Sequence, residues 1–249
     1  MTSNPDQKIA LITGATSPIG GAIAKRLHAD NYNLVLAVNS SFEQGTKFAE
    51  QFDAVTIAAD LSVPDGPELL VANTLEQVGG VDALVNNAAC QKLEDWSTID
   101  SDKWDEMLDV NLRAAQLLMN AVSGHMVSEH KKGAIVNISS IEAYQPSASH
   151  SHYAISKAGL LMATKAAASE LGQYGIRVNS VSPGLIDDGN LHNHWPEGVE
   201  RWLKSSPLKR LGTPEDVSDA VAFLISEQAK WITGTDLVVD GGVLTQPSW

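Results

Sequence analysis

The stretch Lys8-Ile9-Ala10-Leu11-Ile12-Thr13-Gly14-Ala15-Thr16-Ser17-Pro18-Ile19-Gly20 decides the fold. Its apolar start predicts a β-strand, and its glycine-containing middle predicts a tight turn. Beyond this stretch, Ile23 and Leu27 have helical spacing, which predicts a helix. Gly14 lets the chain turn, and Gly20 lets the helix pack closely on the strand. Because the first N–H groups of such a helix attract a pyrophosphate, the unit predicts a dinucleotide site, with an ordinary βα connection as the alternative.

Further strands follow along the chain, and a helical segment separates each from the next. They are predicted at 34–38, 55–57, 83–85, 134–138, 177–181 and 236–239. This alternation predicts an α/β fold, a Rossmann-type doubly wound parallel sheet of about seven strands with helices on both faces. The chain has 249 residues, 43% hydrophobic and 19% charged, which fits a single domain over residues 1–249.

Several predicted strands end in residues suited to ligand binding. Ligands of open parallel sheets bind beyond the carboxyl ends of the strands, where the strand order reverses. The residues at these ends are Asp60-Leu61, Asn86-Asn87-Ala88, Ser139-Ser140 and Pro183-Gly184. We therefore expect them to line one crevice.

The end of the second strand bears on cofactor choice. It reads Val38-Asn39-Ser40-Ser41 and lacks the carboxylate that commonly holds the ribose 2′-hydroxyl of NAD(H). The three small polar side chains are able to donate to a 2′-phosphate, so the sequence favours NADP(H) over NAD(H), without an Arg to fix the choice. The same residues also suit a turn and a helix N-cap.

Tyr153-Ala154-Ile155-Ser156-Lys157 carries the main chemical signal. A helix is predicted from about Ser151 to Tyr174, so the phenol of Tyr153 and the ammonium of Lys157, four residues apart, lie on one face. A nearby cation favours the phenolate and lowers the phenol pKa towards working pH. For an isolated pattern of this kind, an exposed Tyr/Lys pair is the alternative interpretation.

In their order along the chain, these features resemble the short-chain dehydrogenase/reductase family over nearly the whole length. The matching segments are Thr13-Gly14 with Ile19-Gly20, Asp60-Leu61, Asn86-Asn87-Ala88, Asn111, Ser140, Tyr153, Lys157, Pro183-Gly184 and Val239-Asp240-Gly241-Gly242. The resemblance implies a nicotinamide-dependent oxidoreductase that interconverts a ketone and a secondary alcohol, with 3-oxoacyl reductases as the commonest relatives.

The resemblance also implies a role for each site residue. Tyr153 is expected to be the acid/base, Lys157 to lower the pKa of Tyr153 and hold the nicotinamide ribose, Ser140 to donate to the developing oxyanion, and Asn111 to support a water linking Lys157 to solvent. The expected cofactor-binding residues are Gly14, Ser17, Pro18, Ile19, Gly20, Asn39, Ser40, Ser41, Asp60, Leu61, Asn87, Ala88, Tyr153, Lys157, Pro183, Gly184 and Ile186.

Three positions depart from the family pattern. Pro18 stands where the cofactor turn usually has its middle glycine, Ala89 follows Ala88 where glycine is usual, and Asp188 occupies the place of a Thr or Ser that contacts the nicotinamide carboxamide. Pro18 and Asp188 motivate an alternative function, a non-catalytic nucleotide-sensing or scaffolding protein. The complete set of Ser140, Tyr153 and Lys157 counts against that alternative.

The segment from about 186 to 211 is expected to form a substrate lid. Pro196 suits the first turn of a short helix, whose apolar stripe includes Trp195 and Trp202. His194, Trp195 and Tyr144 are the candidate substrate contacts. The pairs His192/His194 and His150/His152 lack a third and fourth ligand, so no metal is predicted.

Charge and composition narrow the partners. A net charge of −13 with scattered Lys and Arg argues against a nucleic-acid or anionic-membrane surface. Cys90 is the only cysteine, and neither a signal peptide nor a membrane-spanning run is evident, so we expect a cytoplasmic protein. The segments Leu112 to Val122 and Ala154 to Ala168 are apolar on more than one side, which indicates a homo-oligomer. The resemblance implies a tetramer and a small-molecule carbonyl or alcohol substrate.

Overall fold

Seven parallel strands form one sheet in the computed structural model, which describes residues 7–39 and 42–246. The spatial order is β3-β2-β1-β4-β5-β6-β7, and every neighbouring pair is parallel. The strands are β1 Ile9–Thr13, β2 Asn33–Val38, β3 Val55–Ala58, β4 Ala83–Asn86, β5 Gly133–Ile138, β6 Ile176–Pro183 and β7 Asp236–Val239. The predicted α/β class and doubly wound sheet are confirmed.

Helices cover both faces of the sheet. They are α1 Pro18–Ala29, α2 Phe42–Ala49, α3 Gly66–Val78, α4 Ser101–Leu108, α5 Ala114–Ser128, α6 Ser151–Leu171, α7 Leu191–His194, α8 Pro196–Ser205 and α9 Pro214–Ile225. One apolar cluster joins the sheet to α1 and α9 through residues such as Ile23 and Val221. A second joins its other face to α3 and α5 through residues such as Leu70 and Leu118. Burial on both faces explains why the strands read as continuous apolar runs.

The strand order reverses between β1 and β4, and this reversal creates the crevice. The chain builds outward from β1 to β3 and then crosses back to place β4 on the other side of β1. Thr13 therefore ends β1 next to the end of β4 at Asn86. Ligands bind at such a reversal because the loops leaving the two strands diverge and leave a gap.

The helix α6 has one buried and one outward face. Tyr153, Lys157, Leu160 and Thr164 are buried, whereas Met162 is 65% exposed. Gly159 lies close to Leu112, in the turn that leads into α5, since a Cβ on Gly159 would lie 2.9 Å from Leu112 Cδ2. Among the described residues, no helix combines the length and hydropathy needed to cross a bilayer.

Candidate active site

Gly14 and Gly20 shape the turn after β1, and neither position tolerates a side chain. Gly14 has φ of +61°, and a Cβ on it would lie 2.9 Å from Ala88 Cα. A Cβ on Gly20 would lie 2.3 Å from the carbonyl oxygen of Gly14. The two glycines therefore let the turn after β1 pack closely on itself and on the backbone after β4, and this bare backbone forms a cradle at the crevice.

Pro18 is accommodated as the first residue of α1. Ser17 caps this helix, and its Oγ accepts from Gly20 N at 3.1 Å. A proline at this position loses no helical hydrogen bond, because the first N–H groups of a helix have no intrahelical acceptor. The N–H of Ile19 is such a group and remains suited to an anion. The departure at Pro18 therefore leaves the helix N-terminus intact.

Asn87 and Thr13 hold the cradle to the end of β4. Asn87 Nδ2 donates to the carbonyl oxygens of Thr13 and Gly14, both at 2.9 Å. Thr13 Oγ1 accepts from the backbone N–H groups of Asn87 and Ala88, both at 3.0 Å. Thr13 thus holds the turn after β1 to the end of β4, a role that the strand pattern did not predict.

The ends of β2 and β3 form the side of the crevice where the adenosine is predicted to bind. Val38 is buried, whereas Asn39 is exposed and is the first polar side chain beyond β2. Asp60 Oδ1 accepts from the hydroxyl and the N–H of Ser62, at 2.6 and 2.9 Å, and these hydrogen bonds lower the pKa of Asp60. Leu61 is buried beneath this turn. Ser40 and Ser41 lie outside the described residues, so their predicted phosphate contacts stay predictions.

Tyr153 and Lys157 lie buried together on α6, at 7% and 2% exposure. Burial raises the pKa of Tyr153 to about 12, a hydrogen bond from Ser140 lowers it, and the charge of Glu142 raises it. Lys157 is not among the groups that shift this pKa, so its predicted lowering of the pKa of Tyr153 stays a prediction. Lys157 Nζ donates to the carbonyl oxygen of Ile138 at 2.9 Å and lies 5.6 Å from the Tyr153 ring centre. Burial also lowers the pKa of Lys157 to about 8.

Ser140 lies just beyond β5 with its hydroxyl directed at Tyr153. Its Oγ accepts from Glu142 N at 3.1 Å, so its own proton is available for the phenol oxygen. The neighbouring Ser139 donates to the carbonyl oxygen of Lys157 at 3.1 Å, which ties β5 to α6. The structure thus brings Ser140, Tyr153 and Lys157 together, as the sequence predicted.

Asn111 lies in a single π-helical turn, Asp109–Arg113, between α4 and α5. Its Oδ1 accepts from Cys90 N at 2.7 Å, and its Nδ2 donates to Cys90 O at 2.9 Å and to Ser156 Oγ at 3.1 Å. The side chain therefore clamps the loop after β4 to α6, and π-turns of this kind often mark functional sites. Its predicted role in supporting a water stays a prediction.

The lid segment contains the two short helices α7 and α8, and Pro196 opens α8 as predicted. His194 Nε2 lies 3.1 Å from Asn190 Nδ2. Trp195 packs on Gly198, and the Arg201 guanidinium lies 5.5 Å from its ring centre. Both candidate side chains thus contact their own lid segment, and their contact with substrate stays a prediction.

Tyr144 stays a predicted substrate contact. Its hydroxyl donates to Asp236 Oδ2 at 2.8 Å, at the β7 edge of the sheet. Burial and, after it, this hydrogen bond raise the pKa of Tyr144 to about 12. The hydroxyl of Tyr144 therefore already has a partner within the chain.

The end of β6 anchors the lid. Gly184 follows Pro183, and a Cβ on it would lie 2.5 Å from the Trp202 ring of α8. Ile186 pairs with Gly212 in an isolated parallel bridge. Asp188 accepts from Asn190 N at 2.9 Å, so its carboxylate closes a turn within the loop.

Sequence reasoning missed the hydrogen bonds of three polar side chains at the site. Glu142 and His150 form a hydrogen-bonded pair beside Tyr153. Asn137 accepts from Asn86 and donates to Thr164, both at 2.8 Å, which links β4, β5 and α6. A polar residue inside an apolar strand, as at Asn137, was the available signal. Within residues 7–39 and 42–246, no group of three or more His, Cys, Asp or Glu side chains is placed to hold a metal ion.

Fold and site together define the class as a dinucleotide-dependent oxidoreductase. A bare glycine cradle lies at the strand reversal, and a buried Ser/Tyr/Lys set lies beside it. The cradle suits a dinucleotide, because α1 begins there and presents unpaired N–H groups, such as that of Ile19, to a pyrophosphate. Comparison with known proteins agrees: a family model described as enoyl-(acyl carrier protein) reductase matches residues 14–244.

Individual relatives cover almost the whole chain. Glucose 1-dehydrogenase 2 of Bacillus subtilis is 34% identical over 97% of this chain and 96% of its own length. The 3-oxoacyl-[acyl-carrier-protein] reductase FabG of Staphylococcus epidermidis is 33% identical over 95% and 98%. The crystal structure of acetoin dehydrogenase from Enterobacter cloacae is similar with a TM-score of 0.89 and 29% identity, covering 98% of each chain. The chain belongs to the short-chain dehydrogenase/reductase family, whose members interconvert carbonyl and alcohol groups.

Proposed function

We propose that this protein is an NADP(H)-preferring ketoreductase that interconverts a ketone and a secondary alcohol, with a 3-oxoacyl group as its substrate class. The observation that carries this proposal is the buried convergence of Ser140, Tyr153 and Lys157 at the strand-end crevice. A non-catalytic nucleotide-binding protein has no need to bury an ammonium and a phenol at such a cost.

Each of the three side chains takes one task in this proposal. The bound nicotinamide supplies or accepts the hydride. Tyr153 gives its proton to the carbonyl oxygen, and a pKa raised to about 12 keeps the phenol in the protonated form that reduction needs. Ser140 donates to the developing oxyanion. Lys157, with its pKa lowered to about 8, keeps a substantial positive charge at neutral pH beside the cofactor ribose.

The proposal also covers the remaining cofactor contacts. The pyrophosphate would lie over Gly14, Ser17, Pro18, Ile19 and Gly20, where α1 presents its N-terminus. Asp60, Leu61, Asn87 and Ala88 would line the adenosine side, and Pro183, Gly184 and Ile186 the nicotinamide side. The lid over 186–211, with His194 and Trp195, would cover the substrate.

A substrate panel tests the proposed function. Purified protein is assayed with acetoacetyl thioester, diacetyl and a 2-enoyl thioester in the reducing direction, and with glucose in the oxidising direction, each with both cofactors. We expect the highest kcat/KM for the 3-oxoacyl thioester with NADPH, since a 3-oxoacyl reductase is among the relatives. Turnover of the enoyl thioester alone, or of no compound, would contradict the proposal.

The cofactor preference has its own test at Asn39. Val38 is buried against α2, where a Cβ on Gly45 would lie 2.7 Å from Val38 Cγ1, so Asn39 is the first exposed side chain beyond β2. We expect Asn39→Asp to lower the ratio of kcat/KM for NADPH over NADH by roughly tenfold or more, because a carboxylate repels the 2′-phosphate.

The matched control is Asn39→Ser, which keeps a small neutral polar group and should leave the ratio within about twofold of wild type. Steady-state kinetics with both cofactors give the ratio for each variant. An unchanged ratio in Asn39→Asp would place the ribose elsewhere.

The proposal extends to the assembly and the location of the protein. A homotetramer is supported by the family and by the exposed apolar side chains of α6, such as Ile155 and Met162. A cytoplasmic location is supported by the single cysteine, Cys90, which suits a reducing compartment.

A further inference from the structure

Glu142 and His150 form a buried pair beside the proposed acid/base. His150 Nδ1 lies 3.0 Å from Glu142 Oε1 and 3.1 Å from Oε2. The two side chains are 9% and 15% exposed. The His150 ring lies against the Tyr153 ring, with 5.0 Å between the ring centres and an interplanar angle of 32°. The imidazole of this pair thus lies against the phenol ring.

The pair also reaches the second catalytic group. Glu142 N donates to Ser140 Oγ at 3.1 Å, so Glu142 holds the serine hydroxyl with its backbone and the imidazole with its side chain. Its Oε2 accepts from Ser147 N at 3.3 Å, which fixes the loop between β5 and α6. His150 is the N-cap residue of α6, three residues before Tyr153. The loop and the helix that carry Ser140 and Tyr153 are therefore joined through one carboxylate.

The imidazole is held in one tautomer. Because the carboxylate of Glu142 only accepts, His150 Nδ1 must carry the proton of this hydrogen bond. His150 Nε2 is buried and has no partner within the described part of the chain. A buried polar atom of this kind calls for an explanation, and such atoms often accompany catalytic groups.

We propose that Glu142 and His150 are positioning residues for Tyr153: Glu142 fixes the imidazole, and the imidazole holds the phenol in the orientation in which its hydroxyl meets Ser140. This inference rests on the proposed function, because it assigns Tyr153 as the acid/base. Neither residue needs to touch the substrate. Their effect is exerted on the angle of the phenol and on the charge around it.

The charge of Glu142 provides the first test. The groups around Tyr153 are Ser140, Glu142, His150 and Lys157, and the carboxylate of Glu142 raises the pKa of the phenol. Glu142→Gln keeps an acceptor for His150 and removes the charge. We expect the pKa in the pH profile of kcat/KM for alcohol oxidation to fall by roughly half to one pH unit. A purely structural role would scale the rate without moving the profile.

Glu94→Gln is the matched control for this test. Glu94 is a neighbouring carboxylate that forms an ion pair with Lys103. Its charge acts on the pKa of His152, the residue directly before Tyr153. Glu94 is not among the groups that shift the pKa of Tyr153. We expect its pH profile to match wild type. A wild-type profile in Glu142→Gln, or an equal shift in both variants, would overturn the electrostatic part of the proposal.

Three substitutions at His150 test the positioning itself. His150→Ala removes both the ring and the Nδ1 donor, and we expect kcat to fall roughly tenfold with KM within about twofold. His150→Asn restores a donor to Glu142, and His150→Phe restores the ring against Tyr153, so each should recover part of the loss. An unchanged kcat in His150→Ala would overturn the positioning role. The role would also be overturned if neither His150→Asn nor His150→Phe recovered any of the lost kcat while both unfolded at the wild-type temperature.

A readout without turnover separates this inference from the proposed function. The protein contains four tyrosines, so 3-fluorotyrosine labelling should give four ¹⁹F resonances, and Tyr153→Phe identifies the one that belongs to Tyr153. We expect this resonance to titrate at lower pH in Glu142→Gln and to change its chemical shift in His150→Ala. These changes in a protein that reduces no carbonyl would overturn the proposed function alone. Their absence in an active protein would overturn the pair alone.

Discussion

Replacing Tyr153 with Phe lowers kcat/KM for ketone reduction by roughly 10²- to 10⁴-fold, the usual range for loss of a general acid. The substitution removes only the hydroxyl that meets Ser140. The ring itself stays packed against His150, so the fold and the glycine cradle are unchanged. The loss therefore falls on proton transfer, and cofactor binding should stay within about twofold of wild type.

Tyr174→Phe is the matched control for this experiment. Tyr174 is 48% exposed and lies in the turn after the last residue of α6, at the opposite end of that helix from Tyr153. Steady-state reduction of the best substrate of the panel, with NADPH binding followed by fluorescence titration, measures both variants. Undiminished activity in Tyr153→Phe would mean that another group donates the proton, and the proposed mechanism would fail.

Much of this site follows from the sequence, because local rules place its main residues. Tyr153 and Lys157 share a helix face through the helical period, and Ser140 follows a strand that ends at the edge where all parallel strands end. Gly14 and Gly20 were identified by their spacing after β1. Both glycines meet backbone atoms in the structure, so the reason for their presence is as predicted.

Other features depend on packing between distant segments, which no local pattern encodes. The pKa of Tyr153 is an example: spacing predicts a nearby ammonium, but the depth of burial decides the direction of the shift. Tyr144 is another, since its partner Asp236 is 92 positions away in the chain. The contact between Glu142 and His150 likewise forms only when the β5–α6 loop folds back on itself. Pro18 is a feature that a local rule does explain. It departs from the family pattern, but proline is favoured in the first turn of a helix, where the structure places it.

The buried ammonium of Lys157 should lower the free energy of unfolding of the protein. It is buried at 2% exposure, and burial lowers its pKa from 10.5 to about 8. The unfolded chain therefore binds the proton more tightly than the folded chain between these two pH values, and the free energy of unfolding rises as pH increases from about 8 to 10.5. Below pH 8 the full penalty of the buried charge is present, at about 3 kcal/mol if each pKa unit is worth about 1.4 kcal/mol.

Lys157→Met should therefore raise the melting temperature while it lowers kcat/KM by roughly 10²- to 10³-fold through loss of the buried cation. In Lys157→Met the carbonyl of Ile138 loses its donor, which offsets about 1–2 kcal/mol of the gain in the free energy of unfolding. We therefore expect a net gain of about 1–2 kcal/mol at pH 7. Each kcal/mol should raise the melting temperature by roughly 2–4 °C. The gain should shrink as pH rises towards 10.5, because the wild-type penalty disappears there. Thermal unfolding of wild type, Lys157→Met and the exposed control Lys165→Met across this pH range measures the effect. A gain that is independent of pH, or equal in both variants, would show that the ammonium is not held at a cost, because only a penalised buried charge makes stability depend on pH in this direction.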